Sequence, residues 1–369
     1  MKKEDILSEC YRKAIETIKA CSTEHGLFAS GGKQGYKGVW ARDSMITLIG
    51  ASTIKDKSIQ EQFKKSLITL AKYQSEKGQI PNAVLHFNRA KPQVDYLSID
   101  SSLWFIIGHH VYKKKYGSSL FKTYKKSIEK ATTWLSYQDV GEDITLEQLP
   151  TTDWQDAFPH KYGDTINTQA LYYSVLRLIG KKKQAEKLKQ EINEIRDLKL
   201  WNGDFYYAYR WKNHHKYKVL GEWFDSLGNL LAVVFGLADK KQAEKIISYI
   251  KKNKINLPYP VKSIYPPIKK GDKEWQDYFL DCDARLPYHY LNAGIWPYIG
   301  GFYILALIKL KKFKEAETEL KNLAESNIRG NFPEWFNSLN KKAYGMLQAW
   351  DAGMYIAAYE SLKKKKVLL

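Results

Sequence analysis

The sequence predicts an all-α protein built as an (α/α)6 barrel, a closed double ring of helices. Twelve segments have the 3.6-residue apolar spacing of amphipathic helices, and they follow one another in six consecutive pairs. No linker, low-complexity tract or compositional break divides the 369 residues. We therefore expect a single domain over residues 1–369.

The predicted helices fall into two kinds. In chain order they cover residues 4–21, 43–54, 57–74, 98–115, 119–137, 165–179, 182–197, 224–238, 240–252, 296–310, 312–326 and 345–362. Segments 224–238 and 296–310 are apolar nearly all round, which is typical of helices buried on both sides. Their successors, 240–252 and 312–326, are rich in Lys and Glu with a single apolar stripe, as expected of an outer layer. This alternation predicts an inner and an outer ring, with the long loops at one end.

The remaining segments are interpreted as additions to the loops. Residues 205–211 look like a strand, and residues 257–267 are rich in Pro. An elongated helical solenoid is the competing architecture, but its repeats would be shorter and more uniform.

The charge of the chain is interpreted as a property of its surface. Lys and Arg number 59 against 40 Asp and Glu, a formal net charge of +19. The lysines come in short runs, such as 113–115, 181–183 and 363–366, at predicted helix ends or turns, where cations suit the helix dipole and solubility. We expect no nucleic-acid partner, although a helical nucleic-acid-binding protein remains an alternative.

Cysteine usage and hydropathy predict a reduced, cytoplasmic chain. Cys10, Cys21 and Cys282 are odd in number and lack the spacing of a metal site. The first residues do not resemble a signal peptide. The longest apolar run, 294–308, is shorter than the roughly 20 residues that a membrane span needs. We expect no membrane partner, and the sequence leaves the oligomeric state open.

Two carboxylates in aromatic surroundings are the candidate catalytic residues. Aromatics make up 14% of the chain, with 11 Trp and 26 Tyr, more than a core needs, and sugar faces stack on such rings. Asp100 lies in YLSIDSSLWF and Glu334 in FPEWFN. Acid/base cleavage of a sugar linkage requires two such carboxyl groups, so we predict Asp100 as the general acid and Glu334 as the general base.

The role of Asp100 has competing interpretations. Trp104 on the same helical face would raise the pKa of the carboxyl, whereas the helix N-terminus would lower it. Asp100 could instead be an ordinary acid of a first helical turn, and Glu334 an ordinary loop residue. Asp153 or Asp156, in TDWQDAF, could be the proton donor in its place.

Further residues are predicted to bind hydroxyl groups or to wall the pocket. In GVWARDS, Trp40, Arg42 and Asp43 combine a stacking face with charge-assisted hydrogen bonds, although Asp43 could be a helix cap. The other predicted binding residues are Asn82, Trp104, Trp154, Gln155, Asp156, Gln169, His289, Trp296, Trp335, Gln348 and Trp350. His289 could be structural, and Asn82 could belong to a plain turn.

The motifs together resemble the amylo-1,6-glucosidase domain of glycogen-debranching enzymes, and they are similar to the related neutral/alkaline invertases. The resemblance runs in order through WARDS (40–44), GQIPN (78–82), DSSLWF (100–105), TDWQDA (152–157), INTQALYY (166–173), DSLGNLLA (225–232), NAGIWPYIGGF (292–302), PEWF (333–336) and QAWDAGMY (348–355). It implies a six-hairpin glycosidase fold, Asp100 as acid, Glu334 as base, inversion at the anomeric carbon, and no metal or organic cofactor.

Two departures from the family pattern concern residues expected to contact the sugar. Asn167 stands where the family usually has Glu, and Gln155 stands where the family has Met in Trp-Met-Asp-Ala. The resemblance thus implies an inverting hydrolase of α-glucosides, an oligosaccharide or a disaccharide, with amylo-1,6-glucosidase activity as the first expectation. A sucrose-cleaving invertase and a non-catalytic carbohydrate-binding relative are the alternatives.

Overall fold

Six helices that are buried on all sides form an inner ring. A computed structural model describes residues 5–32, 35–194, 199–214 and 217–369. Its inner helices are α2 (Ala41–Ala51), α4 (Asp100–Tyr116), α7 (Ile166–Leu178), α9 (Ser226–Phe235), α11 (Pro297–Lys309) and α13 (Ala349–Lys363). Every residue of α2 is buried, and so is all of α11 before Lys309. Each inner helix packs against the next, and α13 returns to α2, which closes the ring.

The outer layer consists of helices with one buried stripe. They are α1 (Ile6–Cys21), α3 (Lys57–Lys72), α5 (Ser119–Thr123), α6 (Lys125–Ser136), α8 (Lys182–Glu194), α10 (Lys240–Lys252) and α12 (Phe313–Gly330). Side chains cap two of their N-termini: Asp56 accepts from Ser58 N and Ile59 N, and Asp239 forms a capping box with Gln242.

Each of the twelve predicted segments contains a helix, so the predicted alternation of layers is confirmed over the described residues. Segment 119–137 is two helices rather than one, because the chain leaves helical geometry at Tyr124. Residue 4 and residues 195–197, which were predicted to be helical, lie outside the described part of the chain.

The prediction of a purely all-α fold is wrong, because small antiparallel sheets are added at the loops. The strands are β1 (Ser22–Thr23), β2 (Gly26–Leu27), β3 (Gly38–Trp40), β4 (Ala83–Leu85), β5 (Gln93–Asp95), β6 (Glu147–Gln148), β7 (Gly163–Thr165), β8 (Tyr207–His214), β9 (Tyr217–Asp225), β10 (Ile264–Tyr265), β11 (Trp335–Phe336) and β12 (Ala343–Tyr344). The largest sheet has the order β10-β9-β8-β7-β6, and β3-β4-β5 form a second sheet.

The strand-like stretch 205–211 belongs to this five-stranded sheet. It forms part of β8, which pairs with β9. The last two residues of β9, Phe224 and Asp225, fall within the predicted helix 224–238. The helix begins only at Ser226, after Asp225 accepts a hydrogen bond from Gly228 N at 3.1 Å and caps it. Periodicity alone does not separate a strand that runs directly into a helix from the helix itself.

Candidate active site

A pocket with a volume of about 70 Å³ lies where the first turns of several inner helices meet. Trp40, at the end of β3, directly precedes α2, Trp296 precedes α11, and Trp350 lies in the first turn of α13. The described residues that line the pocket are Ala29, Tyr36, Trp40, Arg42, Asp43, Trp154, Asp156, Tyr290, Trp296, Glu334 and Trp350. The pocket therefore combines four tryptophans with three carboxylates.

Glu334 lies in this pocket with a strongly shifted acidity. Burial raises its pKa to about 7, while a hydrogen bond opposes the shift: the Tyr36 hydroxyl lies 3.3 Å from Glu334 Oε1. The charges of Asp43 and Asp156 add to the increase. A carboxylate with a pKa near neutrality is matched to proton transfer at physiological pH.

Asp156 and Asp43 are the other carboxylates of the pocket. Solvent reaches Asp156, but protein surrounds its carboxyl closely enough to raise the pKa, with the charge of Arg42 acting in the opposite direction. Burial likewise raises the pKa of Asp43 to about 6, and Arg42 again opposes the shift. Asp156 thus combines access from the pocket with a raised pKa, as a proton donor requires.

Asp100 lies outside the pocket lining and is fully buried, with 0% of its surface exposed. Arg42 Nη1 lies 3.0 Å from both carboxylate oxygens, and the Ser98 hydroxyl donates to Oδ1 at 2.5 Å. Arg42 itself lines the pocket, whereas Asp100, its ion-pair partner, does not. The Asp100 carboxyl therefore faces Arg42 and Ser98 and not the pocket, and its assignment as general acid stays a prediction.

Three indole N–H groups of the pocket have no hydrogen-bond partner among the described residues. They belong to Trp40, Trp154 and Trp350. The fourth tryptophan, Trp296, donates to the Tyr290 carbonyl at 3.1 Å. Unpaired buried donors are costly unless a ligand or water accepts from them, so these groups favour a ligand rich in oxygen acceptors.

Several predicted binding residues lie outside the pocket lining. The Gln169 amide exchanges hydrogen bonds with the backbone of Leu146, at 2.7 and 3.2 Å, and Trp104 packs in the core against Phe235 and Phe302. Asn82 donates to Asp95 Oδ2 at 2.7 Å.

The other four predicted binding residues also lie outside the pocket lining. Trp335 stacks on Tyr344 with ring centroids 4.0 Å apart, and His289 packs edge-on against Trp335. Gln348 and Gln155 are buried outside the lining.

Tyr36 and Tyr290 also line the pocket, and neither is among the predicted site residues. Tyr36 precedes the motif around Trp40 and is 46% exposed, so no apolar periodicity marks it. Tyr290 has a positive φ of 46°, an uncommon conformation for a tyrosine. The one feature of the sequence that could have indicated Tyr290 as a pocket residue is its position between His289 and the buried helix α11.

A buried ion network holds the loop that carries Asp156. Lys161 Nζ lies 2.9 Å from Asp153 and 2.7 Å from Asp225, and none of the three side chains is exposed. Asp153 accepts from the backbone N–H of Gln155 at 2.9 Å, directly before Asp156. The network therefore ties the turn before Asp156 to the start of α9.

No group of three or more His, Cys, Asp or Glu side chains is placed to hold a metal ion in the described ranges. No helix among the residues described is long and apolar enough to cross a membrane.

Comparison with known proteins relates part of this chain to invertases. A model of the alkaline and neutral invertase family matches residues 208–365. The chain is 28% identical over 141 residues to neutral/alkaline invertase 1, mitochondrial, of Oryza sativa subsp. japonica, covering 37% of this chain and 22% of that protein. It is 26% identical over 148 residues to alkaline/neutral invertase C, mitochondrial, of Arabidopsis thaliana, covering 38% and 22%.

Solved structures share the whole architecture. The GH63 mannosylglycerate hydrolase from Thermus thermophilus, in complex with glucose, superimposes with a TM-score of 0.73 at 12% identity, covering 94% of this chain and 99% of that one. A glycosidase in complex with glucose superimposes with a TM-score of 0.68 at 14% identity, covering 97% of each chain. These relatives are glycoside hydrolases.

The comparisons therefore establish the six-hairpin glycosidase fold, since the structural likeness covers nearly the entire chain. The sequence likeness is narrower, because the matched part spans about a fifth of the length of the plant invertases. The expected kinship with neutral/alkaline invertases is supported by these matches.

Proposed function

We propose that this protein is a glycoside hydrolase in which Asp156 is the general acid and Glu334 the general base. The observation that carries the proposal is that both carboxyl groups line one small pocket, together with three indole N–H groups without partners. Asp156 protonates the glycosidic oxygen, and Glu334 takes a proton from a water molecule on the opposite face of the sugar ring. This division of roles gives inversion and requires roughly 6.5–9.5 Å between the carboxyl groups.

The sugar that enters the pocket is a single terminal residue. The volume of about 70 Å³ would hold roughly five to seven water molecules. Tryptophan faces pack against the C–H surface of a sugar, while Arg42 and Asp43 supply charge-assisted hydrogen bonds to its hydroxyls. The rest of the substrate leaves through the mouth beside Tyr36, which is exposed.

The preferred substrate class is a small α-glucoside of the sucrose type. The invertase family match and the relatives named as invertases support this choice over an amylo-1,6-glucosidase. The amylo-1,6 linkage is the second candidate, because the motifs around Trp40, Trp154 and Trp350 also resemble those of debranching enzymes.

A substrate screen tests the reaction and its stereochemistry. The purified full chain is incubated with sucrose, isomaltose, a branched dextrin and mannosylglycerate, and the first anomer formed is read by NMR. We expect glucose release from sucrose with inversion. A product that keeps the anomeric configuration would contradict the roles assigned to the two carboxyls, and hydrolysis of the dextrin alone would reverse the order of the candidates.

Substitution separates Asp156 from Asp100 as proton donor. Asp156→Asn should lower kcat by a factor of about 10²–10⁴, the usual contribution of a general acid. The activity of the same variant on a 4-nitrophenyl glucoside should fall much less, since that leaving group needs no proton. Asp100→Asn should chiefly lower the melting temperature, because it leaves Arg42 buried without its partner. Selective loss of the sucrose reaction in Asp100→Asn, with the fold intact, would restore Asp100 as the donor.

A further inference from the structure

A second and larger cavity, a groove of about 690 Å³, shares no lining residue with the active pocket. Ile99 and Thr152 line this groove, and Ile99 N donates to the Thr152 carbonyl at 2.8 Å. The residues that follow them are Asp100, which holds Arg42, and Asp153, which fixes the turn before Asp156. The volume lies in the range of about 300–1,000 Å³ typical of small-molecule sites.

A buried amide side chain in the groove has hydrogen-bond partners at only one of its two polar ends. Gln148 is 6% exposed, and its Oε1 accepts from the hydroxyls of Thr165 and Thr168 at 2.6 and 2.7 Å. The other end of the amide, Nε2, has no hydrogen-bond partner among the residues that the structure describes. A buried amide donor without an acceptor is costly, so its presence calls for a ligand or an ordered water.

Aromatic side chains wall the same groove. Trp134, Tyr162 and Trp211 line it and are each half-buried, and the rings of Tyr162 and Trp211 meet edge-on at 5.6 Å. Ring faces beside a polar group suit a ligand with an apolar C–H face and hydroxyls at its edge. A sugar ring has both.

The charged side chains that line the groove already hold ion pairs or backbone hydrogen bonds, which argues for a neutral ligand. Arg210 contacts Asp164 at 2.6 Å and also Glu191 at 3.0 Å. The Glu147 carboxylate accepts from the backbone N–H groups of Val140 and Gly141, at 2.8 and 3.2 Å. An ionic ligand would compete with these bonds, whereas the hydroxyls of a polyol can use the free amide and Asp164 Oδ1, which has no hydrogen-bond partner among the described residues, and its C–H face can use the rings.

We propose that this groove is a second carbohydrate-binding site, which takes a neutral di- or oligosaccharide outside the active pocket. The inference goes beyond the proposed function and rests on the groove residues alone.

The test counts saccharide sites on a chain that cannot turn substrate over. The full-length Asp156→Asn/Glu334→Gln double variant is titrated calorimetrically with sucrose and, separately, with maltose. We expect two sites per chain for at least one of the two sugars. Adding Trp211→Ala, which removes a stacking face, or Gln148→Glu, which keeps the acceptor oxygen but removes the free donor, should weaken one site at least tenfold.

Matched variants decide which site has been lost. Trp201→Ala removes a half-buried tryptophan that lines neither cavity and should leave both sites, while Trp350→Ala should weaken only the active pocket. Circular dichroism shows whether each variant folds. If Trp211→Ala does not fold, Gln148→Glu is used in its place.

The outcomes separate this proposal from the proposed function. A single site per chain that both groove variants leave intact, or two sites unaffected by both groove variants, would overturn the groove proposal. If Trp350→Ala changes nothing while the groove variants abolish binding, the groove proposal stands and the active-pocket proposal fails. Leu149, 73% exposed at the groove, offers a check for self-association. A dimer that Leu149→Glu dissociates, without sugar binding in the groove, would assign the face to a second copy of the chain instead.

Discussion

At the scale of single residues, surroundings decide which carboxyl groups can do chemistry. Asp100, Asp156 and Glu334 are all acids within aromatic motifs, yet their positions differ. Asp100 neutralises a buried arginine, whereas Asp156 and Glu334 face the pocket. Burial penalises the charged form of both pocket acids and raises their pKa values, which brings Glu334 to about 7.

The pH dependence of hydrolysis should report Glu334. A general base must be ionised, so kcat/KM should fall about tenfold per pH unit below about 7, the pKa of Glu334. Tyr36→Phe removes a hydrogen bond that lowers this pKa, and the acid limb should move to higher pH. The measurement is a pH profile of kcat/KM, with the exposed Tyr137→Phe as control. An acid limb near 4.5 in the wild type would remove Glu334 as the base.

The same residue should make stability depend on pH. Its folded-state pKa of about 7 exceeds the usual 4.5, so the folded protein binds more protons between these values, and stability is lost as pH rises through about 7. Glu334→Gln removes that loss. The variant should exceed the wild type in unfolding free energy by about 1–2 kcal/mol at pH 8, after discounting for partial exposure, and by much less at pH 5.

Urea unfolding at the two pH values measures this difference. A stability gain that is equal at pH 5 and pH 8 would show that ionisation of Glu334 is not its cause.

At the scale of elements, loops carry the chemistry and helix ends hold the loops. The turn before Asp156 is anchored by Lys161, which bridges Asp153 and Asp225, and Asp225 caps α9. The bridge lies wholly in the interior, where removal of one partner leaves the others charged and without compensation.

Lys161→Met should therefore destabilise the protein by about 3–5 kcal/mol in urea unfolding. A matched control is Lys245→Met, because Lys245 pairs with Asp204 at 3.0 Å but both side chains are about 60% exposed. Exposed pairs contribute about 0–1 kcal/mol. Equal losses in the two variants would mean that the buried network does not hold the loop.

At the scale of the whole molecule, the ring depends on contact between its first and last inner helices. Gly353 of α13 faces α2 so closely that an added Cβ would lie 2.4 Å from the Thr47 carbonyl oxygen. Gly50 approaches Gly353 in the same way, with a Cβ position 2.4 Å from the Gly353 carbonyl oxygen. Backbone cannot move aside as a flexible side chain can.

Gly353→Ala should force α2 and α13 apart and lower the unfolding free energy by about 1–3 kcal/mol, as overpacked cores do. Gly108→Ala, in inner helix α4, is the comparison, since its nearest neighbour is the flexible Met45 side chain. Thermal unfolding measures both. A smaller loss at Gly353 than at Gly108 would contradict the tight closure.

The charge of the whole molecule belongs to its outer surface. Lysines cluster on the outer helices, such as Lys182–Glu194 and Lys240–Lys252, where exposed residues predominate. The inner helices and the pocket carry few cations, and Arg42 is paired. The distribution places most cations on the outer helices, and the absence of a nucleic-acid partner stays a prediction.

The sequence by itself determined the ring of helices and the motifs around the pocket. Apolar periodicity is local, so it marks each helix and its buried or half-exposed character without knowledge of its neighbours. The motifs around Trp40, Trp296 and Trp350 indicated a shared site because each lies at the start of an inner helix.

Only the tertiary structure decided which acid faces the pocket and how β8 and β9 add a sheet to the loops. A carboxyl beside aromatics looks the same in sequence whether it meets Arg42 in the interior or opens to the cavity, because the partner comes from another helix. Exposure, ion pairing and pKa arise from residues distant in the chain. They exist only once the ring has closed.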